Sequence, residues 1–377
     1  MAKFPGFCGG TNVGRFTAQD AERTINWYTE TADAGTPKAE KFNPQTPGLR
    51  LFTFLGSGAV KGLFSQDGRT FGVGGATLYE ILPGRTVTAL GTVAVNGWQA
   101  TFASNGDRGH QLMVTAGGLG YIYDLVSGVF TQITDVDFPA RVIQCLYFDG
   151  YFIALDGDTG KFVLSDLNDG LTWNGLDFGF ESQFSDRVVA MTRTHDNLWL
   201  FGTRNTAPWY NSGNPSFPFQ PVPGSLIEHG IAAPFSAVEL DNTVWWLQQD
   251  KEGWGLVGRA NGYTPVRVGT YAIDTMIQRS SSLEQGVAWG YQEAGHTFYV
   301  LQIPGVTTSL GETTLVFDIS TGDWHERAHW DVTYGRYFRH VANNHCFAWG
   351  KHLVGDRQSG AVYEQSLDFY DERLVLV

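Results

Sequence analysis

Residues 325 to 329 read His-Glu-Arg-Ala-His, the spacing that on a helix sets two imidazoles around one zinc ion with the glutamate as general base. The surroundings argue for an extended chain instead. The string follows Asp318-Ile-Ser-Thr-Gly-Asp-Trp, a strand and turn, and Trp324 and Trp330 bracket it with no helix cap. Residues four apart on a strand lie about 13 Å apart, and one ion with bonds of about 2 Å to nitrogen cannot span that. Chelators and Glu326→Gln are therefore expected to leave the protein unchanged. Asp156-Gly-Asp-Thr-Gly-Lys begins like a calcium loop but lacks the glycine at position 6 and the glutamate at position 12, so a hairpin turn explains it more simply. Gly9-Gly-Thr-Asn-Val-Gly lacks the lysine and hydroxyl of a phosphate-binding loop.

Ser165-Asp-Leu-Asn-Asp-Gly-Leu-Thr-Trp173 is similar to the Asp-box of sialidase-like propellers, with one residue too many before the Asp. In those enzymes the box is a folding turn away from the catalytic face, so the match reports architecture. A sialidase also needs a cluster of arginines and a tyrosine nucleophile, for which the chain has no recognisable pattern. No catalytic residue, cofactor or metal ligand is assigned.

The net charge of -13 and the pI near 5.1 argue against a protein that grips nucleic acid or an anionic membrane through its overall field. Three cysteines, Cys8, Cys145 and Cys346, lack the number and spacing of a disulfide framework or a thiolate metal site, which suits a chain made in a reducing cytoplasm. No apolar run approaches the roughly 18 residues of a membrane helix, and the start lacks a signal-peptide core.

The elements that position these residues are hairpins. Asp149-Gly150 introduces Tyr151 to Leu155, and a Gly/Asp turn leads to Phe162 to Leu164. Similar hairpins begin near Gly68, Gly109, Asn197, Asn242, Gly295 and Asn344, so successive starts are 41, 41, 47, 45, 53 and 49 residues apart. That period is one four-stranded propeller blade, roughly 40 to 50 residues. The expected fold is an all-β propeller of six or seven blades, the seven hairpins favouring seven, over residues 59–377. Residues 1–58 form an N-terminal arm, a short helix and a strand. The helix is expected over Thr17 to Glu30, with Thr17 as N-cap. Leu49 to Leu55 reads as a strand that completes a blade begun by the other terminus. Asp371 to Val377 is expected to pair and close the ring, or to mark a cut end.

The order of motifs then becomes familiar. Ile25-Asn-Trp-Tyr-Thr-Glu30 and Thr46-Pro-Gly-Leu49 resemble the start of the podovirus packaged-DNA stabilisation proteins, the tail hub or nozzle family. More specific are Leu198 to Gly202, Trp209-Tyr-Asn-Ser-Gly213, Ile227-Glu-His-Gly230, Val244-Trp-Trp-Leu247, Gly262 to Val268, Thr270-Tyr-Ala-Ile273 and Asp318 to Trp324. The chain departs from the family at Ala207-Pro208, where a glutamate usually precedes Trp-Tyr, and family members continue past this C-terminus into a further strand-rich section. The resemblance implies a virion tail protein below the portal and its adaptor ring. It would assemble with itself into a ring, a hexamer in related phages, and meet tail needle or tailspike proteins. Double-stranded DNA would pass through the channel without tight binding, and the genome would be retained until ejection.

Candidate contact residues follow from exposed apolar character. Ile25, Trp27 and Tyr28 are too apolar for a short solvated helix, so residues 10–30 are expected to lie outside the propeller and touch a neighbouring subunit or the adaptor. Trp209 and Tyr210 open a proline-rich stretch to Pro223 that reads equally as a partner-binding loop or a buried connection. Six of nine histidines follow residue 295, either a pH-sensitive interface or scattered strand residues. The rival functions are a propeller scaffold for protein–protein binding and a sialidase-like hydrolase.

Overall fold

Consecutive residues with positive φ recur along the chain: Asp67-Gly68, Gly117-Gly118, Asp149-Gly150, Asp241-Asn242, Ala294-Gly295 and Trp349-Gly350. Two left-handed residues in a row make the two-residue turn whose twist matches that of the flanking strands, and each of these pairs joins adjacent antiparallel strands. In the computed structural model, which describes residues 8–13, 21–31, 41–182, 186–250 and 252–374, the strands so joined belong to six of seven largely antiparallel sheets of at least four strands each, and in the seventh His195-Asp196 makes the turn. Blades 1 to 6 span residues 60–92, 101–132, 142–179, 190–221, 230–267 and 287–331; blade 7 combines 342–366 with 48–54. The first strand of each blade adjoins that of the next, and Ala342–Ala348 adjoins Val60–Gln66, which closes a propeller ring.

Each blade is covered by a neighbour on both faces, so its middle strands read as unbroken apolar runs. Phe152, Ile153, Ala154 and Leu155 are all buried, Ile153 and Leu155 against blade 4 and Phe152 and Ala154 against blade 2. The outermost strands, such as Val87–Thr92, are half exposed and carry few large apolar residues.

The ring is fastened by the strand expected to do it. Gly48–Phe54 pairs antiparallel with Ala361–Ser366, with Tyr363 opposite Leu51 and Ala361 opposite Phe54. The propeller thus begins at Gly48 rather than at residue 59. Glu372–Arg373 then pairs parallel with Leu49–Arg50 and covers the remaining edge. Those two residues belong to the terminal apolar run expected to pair. In blade 7 the hairpin turn is Trp349-Gly350, and Lys351–Asp356 intervenes between the two runs that the sequence pairs as one hairpin from Asn344.

Residues 17–20 of the expected N-terminal helix lie outside the described residues, and 21–31 are extended. Their backbone groups are committed elsewhere. Asn26 N–H donates to Glu326 O at 2.8 Å, and Glu326 N–H donates to Thr24 O at 2.8 Å, so the arm adds itself to the edge of strand Trp324–Asp331 and the donors a helix would use are consumed. β-Branched Thr24 and Ile25 suit that extended state. The helix with clear caps is Tyr271–Gln278, where Thr270 Oγ1 accepts from Ile273 N–H at 3.3 Å. Its buried Ile273, Met276 and Ile277 pack on Trp245 and Tyr299 between blades 5 and 6.

Candidate functional site

The His-Glu-Arg-Ala-His string lies within strand Trp324–Asp331, as its surroundings imply, and its members have separate partners. His325 packs against the rings of Tyr28 and Phe298 at 6.2 and 5.7 Å. Burial, then Arg327 and His296, pulls its pKa down to about 3, so the imidazole is neutral. His329 Nδ1 lies 3.6 Å from Glu372. Glu326 is 0% exposed and is held by the arm: Arg23 Nε donates to its Oε1 at 2.9 Å, Arg23 Nη2 to its Oε2 at 2.5 Å, and Thr11 Oγ1 to Oε1 at 3.3 Å. This changes the expectation for Glu326→Gln. The carboxylate fastens the arm, so its loss perturbs the protein for a reason unrelated to zinc.

The two turn motifs are also occupied by their own folding. In the Asp-box-like segment Ser165 Oγ accepts from Phe152 N–H and donates to Asp166 O. Asp169 accepts from Leu171 N–H and the Thr172 hydroxyl, and Trp173 Nε1 donates to Gly170 O. The calcium-like Asp156 loop is one of a series that the sequence reading missed, Asp-x-x-Ser/Thr-Gly. Asp124, Asp156, Asp318 and Asp356 each accept from the backbone N–H two residues on. Thr159, Thr321 and Ser359 add a hydroxyl donor to the last three of these carboxylates. These acids cap turns, the last three with both oxygens, which is a folding role. The described residues include no group of three or more His, Cys, Asp or Glu placed to hold a metal ion.

The candidate contact residues divide. Trp27 is 49% exposed and Ile25 half-buried, whereas Tyr28 is 3% exposed and sits edge-on to His296 and Phe298 at 5.0 and 5.5 Å. The arm therefore docks on its own propeller, against the expectation that it lies outside, and Tyr28 is used up there. Trp209 is buried edge-on to Phe162 at 5.2 Å with its Nε1 donating to Glu181 at 2.8 Å; Tyr210 is half-buried. The start of the proline-rich stretch is thus a buried connection. The late histidines cluster around the junction of blades 6 and 7 rather than on an outer surface: His345 and His352 stack at 5.2 Å beside Tyr291, and His340 Nε2 lies 3.4 Å from Glu372. Exposed aromatics do occur on a ribbon extending blade 6, where Trp330 and Tyr334 flank Val332 beside Leu310. Their spacing carries no signal that separates them from core residues.

Comparison with solved structures supports the architecture. The extracellular domain of a protein described as a hybrid two-component system of B. thetaiotaomicron superposes with a TM-score of 0.57 at 9% identity, covering 85% of this chain and 40% of that one. The chain thus spans well under half the length of the first structures it matches. A catalytically inactive virginiamycin B lyase from Staphylococcus aureus with quinupristin gives 0.54 at 10% identity over 85% and 99% of the two chains. A chain of the mitotic checkpoint complex gives 0.52 at 13% over 89% and 96%. At such identities the likeness is one of fold. No curated protein matches the sequence. A family model of phage stabilisation proteins, described as bacteriophage P22 Gp10, β-propeller, matches residues 24–369, from the docked arm to the end of the last blade, and the chain belongs to that family.

Proposed function

We propose that this phage protein is a tail hub or nozzle, a structural virion component that assembles with itself into a ring below the portal, contacts its adaptor and tail partners, and holds packaged DNA until ejection. The observation that carries the reading is the family match across residues 24–369, from the end of the arm through the last blade. Two features agree with it. The sequence motifs that suggest catalysis are occupied by turn and arm contacts, which favours a structural role over hydrolysis. The excess of acidic over basic groups favours a channel wall that DNA phosphates pass without sticking, since each neutralised phosphate adds affinity through counterion release. Ile25 and Trp27 on the docked arm, and the ribbon at Trp330 and Tyr334, are the surfaces proposed to meet other subunits. Particle-mass measurement and negative-stain imaging of the purified chain, alone and with a portal–adaptor complex, test the reading. A ring, free or formed on the adaptor, is expected. A chain that stays monomeric in both conditions refutes it.

A further inference from the structure

Arginines in this acidic chain generally find carboxylates. Arg23, Arg69, Arg141 and Arg267 each send Nε to an aspartate or glutamate at 2.7 to 2.9 Å. Arg339 and Arg357 are held more loosely: both Nε–H groups are buried without a hydrogen-bond partner, and Arg339 has only a long ion pair, Nε to Glu312 at 3.9 Å, beyond hydrogen-bond reach. Asp356, next to Arg357, is engaged with Gln358 and Ser359 in its own turn.

Both arginines face one cavity of about 480 Å³, lined also by Lys61, Gln99, Glu284 and Gln302. Its position follows from the topology. Lys61, Val287 and Asn343 lie within the first two residues of the innermost strands of blades 1, 6 and 7, and Gln99 and Phe235 precede those of blades 2 and 5. A cavity touching five of the seven blades at that level is the mouth of the propeller axis. Three cations and one carboxylate line it, with Glu312 at its flank. Burial, then the neighbouring Arg357, lowers Arg339 to about 10, and burial also lowers Arg357 and Lys61. Like charges are therefore held together in a partly dry place with donors unused.

We infer that the axial mouth is a binding site for a phosphate-class oxyanion, with the Arg339 and Arg357 guanidiniums as a fork and Lys61 as a third cation. A guanidinium that lines the cavity can present its N–H groups to two oxygens of one anion. The volume exceeds that of free phosphate and suits a small phosphate ester. A DNA duplex, about 20 Å wide, could offer the same chemistry only through a backbone phosphate or an end at the rim. The inference stands independently of the tail-hub reading.

Titration calorimetry on the full chain with inorganic phosphate, AMP, adenosine and a short blunt duplex tests it. Phosphate and AMP are expected to bind and adenosine not. Arg339→Gln and Arg357→Gln are each expected to weaken binding at least about tenfold, which is about 1.4 kcal/mol. Because they relieve repulsion, both variants are expected to melt no lower than the parent in phosphate-free buffer, a result that a merely structural arginine would not give. Should either fail to fold, Lys61→Gln makes the same comparison from the third cation and is expected to weaken AMP binding. Adenosine binding as well as AMP, duplex binding without AMP binding, affinity unmoved in the variants, or no anion bound at millimolar concentration would each overturn the inference.

Discussion

Glu326→Gln is the most informative single change, because it separates a fastening role from a zinc-dependent one. The parent carboxylate is fully enclosed and accepts two charge-assisted bonds from Arg23, whose side chain is 15% exposed. Removing one partner of a buried pair costs about 3 to 5 kcal/mol because the other charge is left uncompensated. Here the loss is limited, since Arg23 can swing into water if the arm lifts. Lifting exposes Tyr28, whose burial is worth about 1.5 to 3 kcal/mol, and breaks the backbone bonds of Thr24 and Asn26 to Glu326. The expected result is a loss of about 3 kcal/mol confined to the arm. Hydrogen exchange at the Asn26 and Glu326 amides should then quicken roughly a hundredfold, while amides of blades 2 to 4 stay protected. A double-mutant cycle with Arg23→Met should give a coupling of at least about 2 kcal/mol. A coupling below about 0.5 kcal/mol, or equal acceleration throughout the molecule, would falsify the fastening argument.

Acid should destabilise the propeller before its carboxylates titrate. Burial keeps His325 and His340 neutral, at about 3 and 4, so from pH 6.5 downward the unfolded chain gains protons that the folded chain refuses. Between pH 7 and 5 each histidine costs about 2 kcal/mol, about 4 together. Glu293 and Asp274, raised by burial, oppose this as they protonate. A urea midpoint that does not fall between pH 7 and 5 would contradict the argument, and His340→Asn should reduce the slope by about one proton. Trp209→Ala should cost about 3 to 5 kcal/mol in thermal or urea unfolding, because it empties a buried site and removes the Trp209 Nε1 bond to Glu181. Trp27→Ser should leave the unfolding free energy within about 0.5 kcal/mol of the parent and lower ring formation, whereas deleting residues 1–30 should destabilise the chain through Tyr28. In gel shifts duplex DNA should bind no better than the non-specific range of about 10⁻⁴ to 10⁻⁶ M at physiological salt; submicromolar, steeply salt-dependent binding would point to a clamp.

The blade count was legible because turn chemistry is local: Asp67-Gly68 and Asp149-Gly150 show their left-handed turns in their residue types. Trp349-Gly350 hides its turn behind a tryptophan, and the copy starting at Asn344 slipped by one strand. The extended state of His325 to His329 was legible from its flanks. The arm was not. Thr17 to Glu30 has helical spacing, but the strand edge it meets is some 300 residues away, and nothing local to Arg23 names Glu326 as its partner. Tyr271–Gln278 carried a readable signal, a Thr cap with apolar residues at 273, 276 and 277, overlooked because the surrounding repeat is all strand. Arg339 ends one strand and Arg357 follows another, and the two converge only when blades 6 and 7 pack together.

The fastening of blade 7 also sets a timetable for synthesis. Gly48–Phe54 leaves the ribosome early and finds its partner, Ala361–Ser366, only after some 300 further residues. At translation rates of 5 to 20 residues per second, that is roughly 15 to 60 s in which an apolar strand waits unpaired. Throughout that interval blade 1 also lacks its neighbour Ala342–Ala348. The nascent chain is therefore a curved stack with two sticky ends, and at high expression the ends of different chains compete with the two ends of one. Arg50 and Thr53 within the waiting strand lessen that hazard by breaking its apolar run. Slowing translation ahead of residue 361 should accordingly lower the yield of closed rings, even though the sequence of every blade is unaltered.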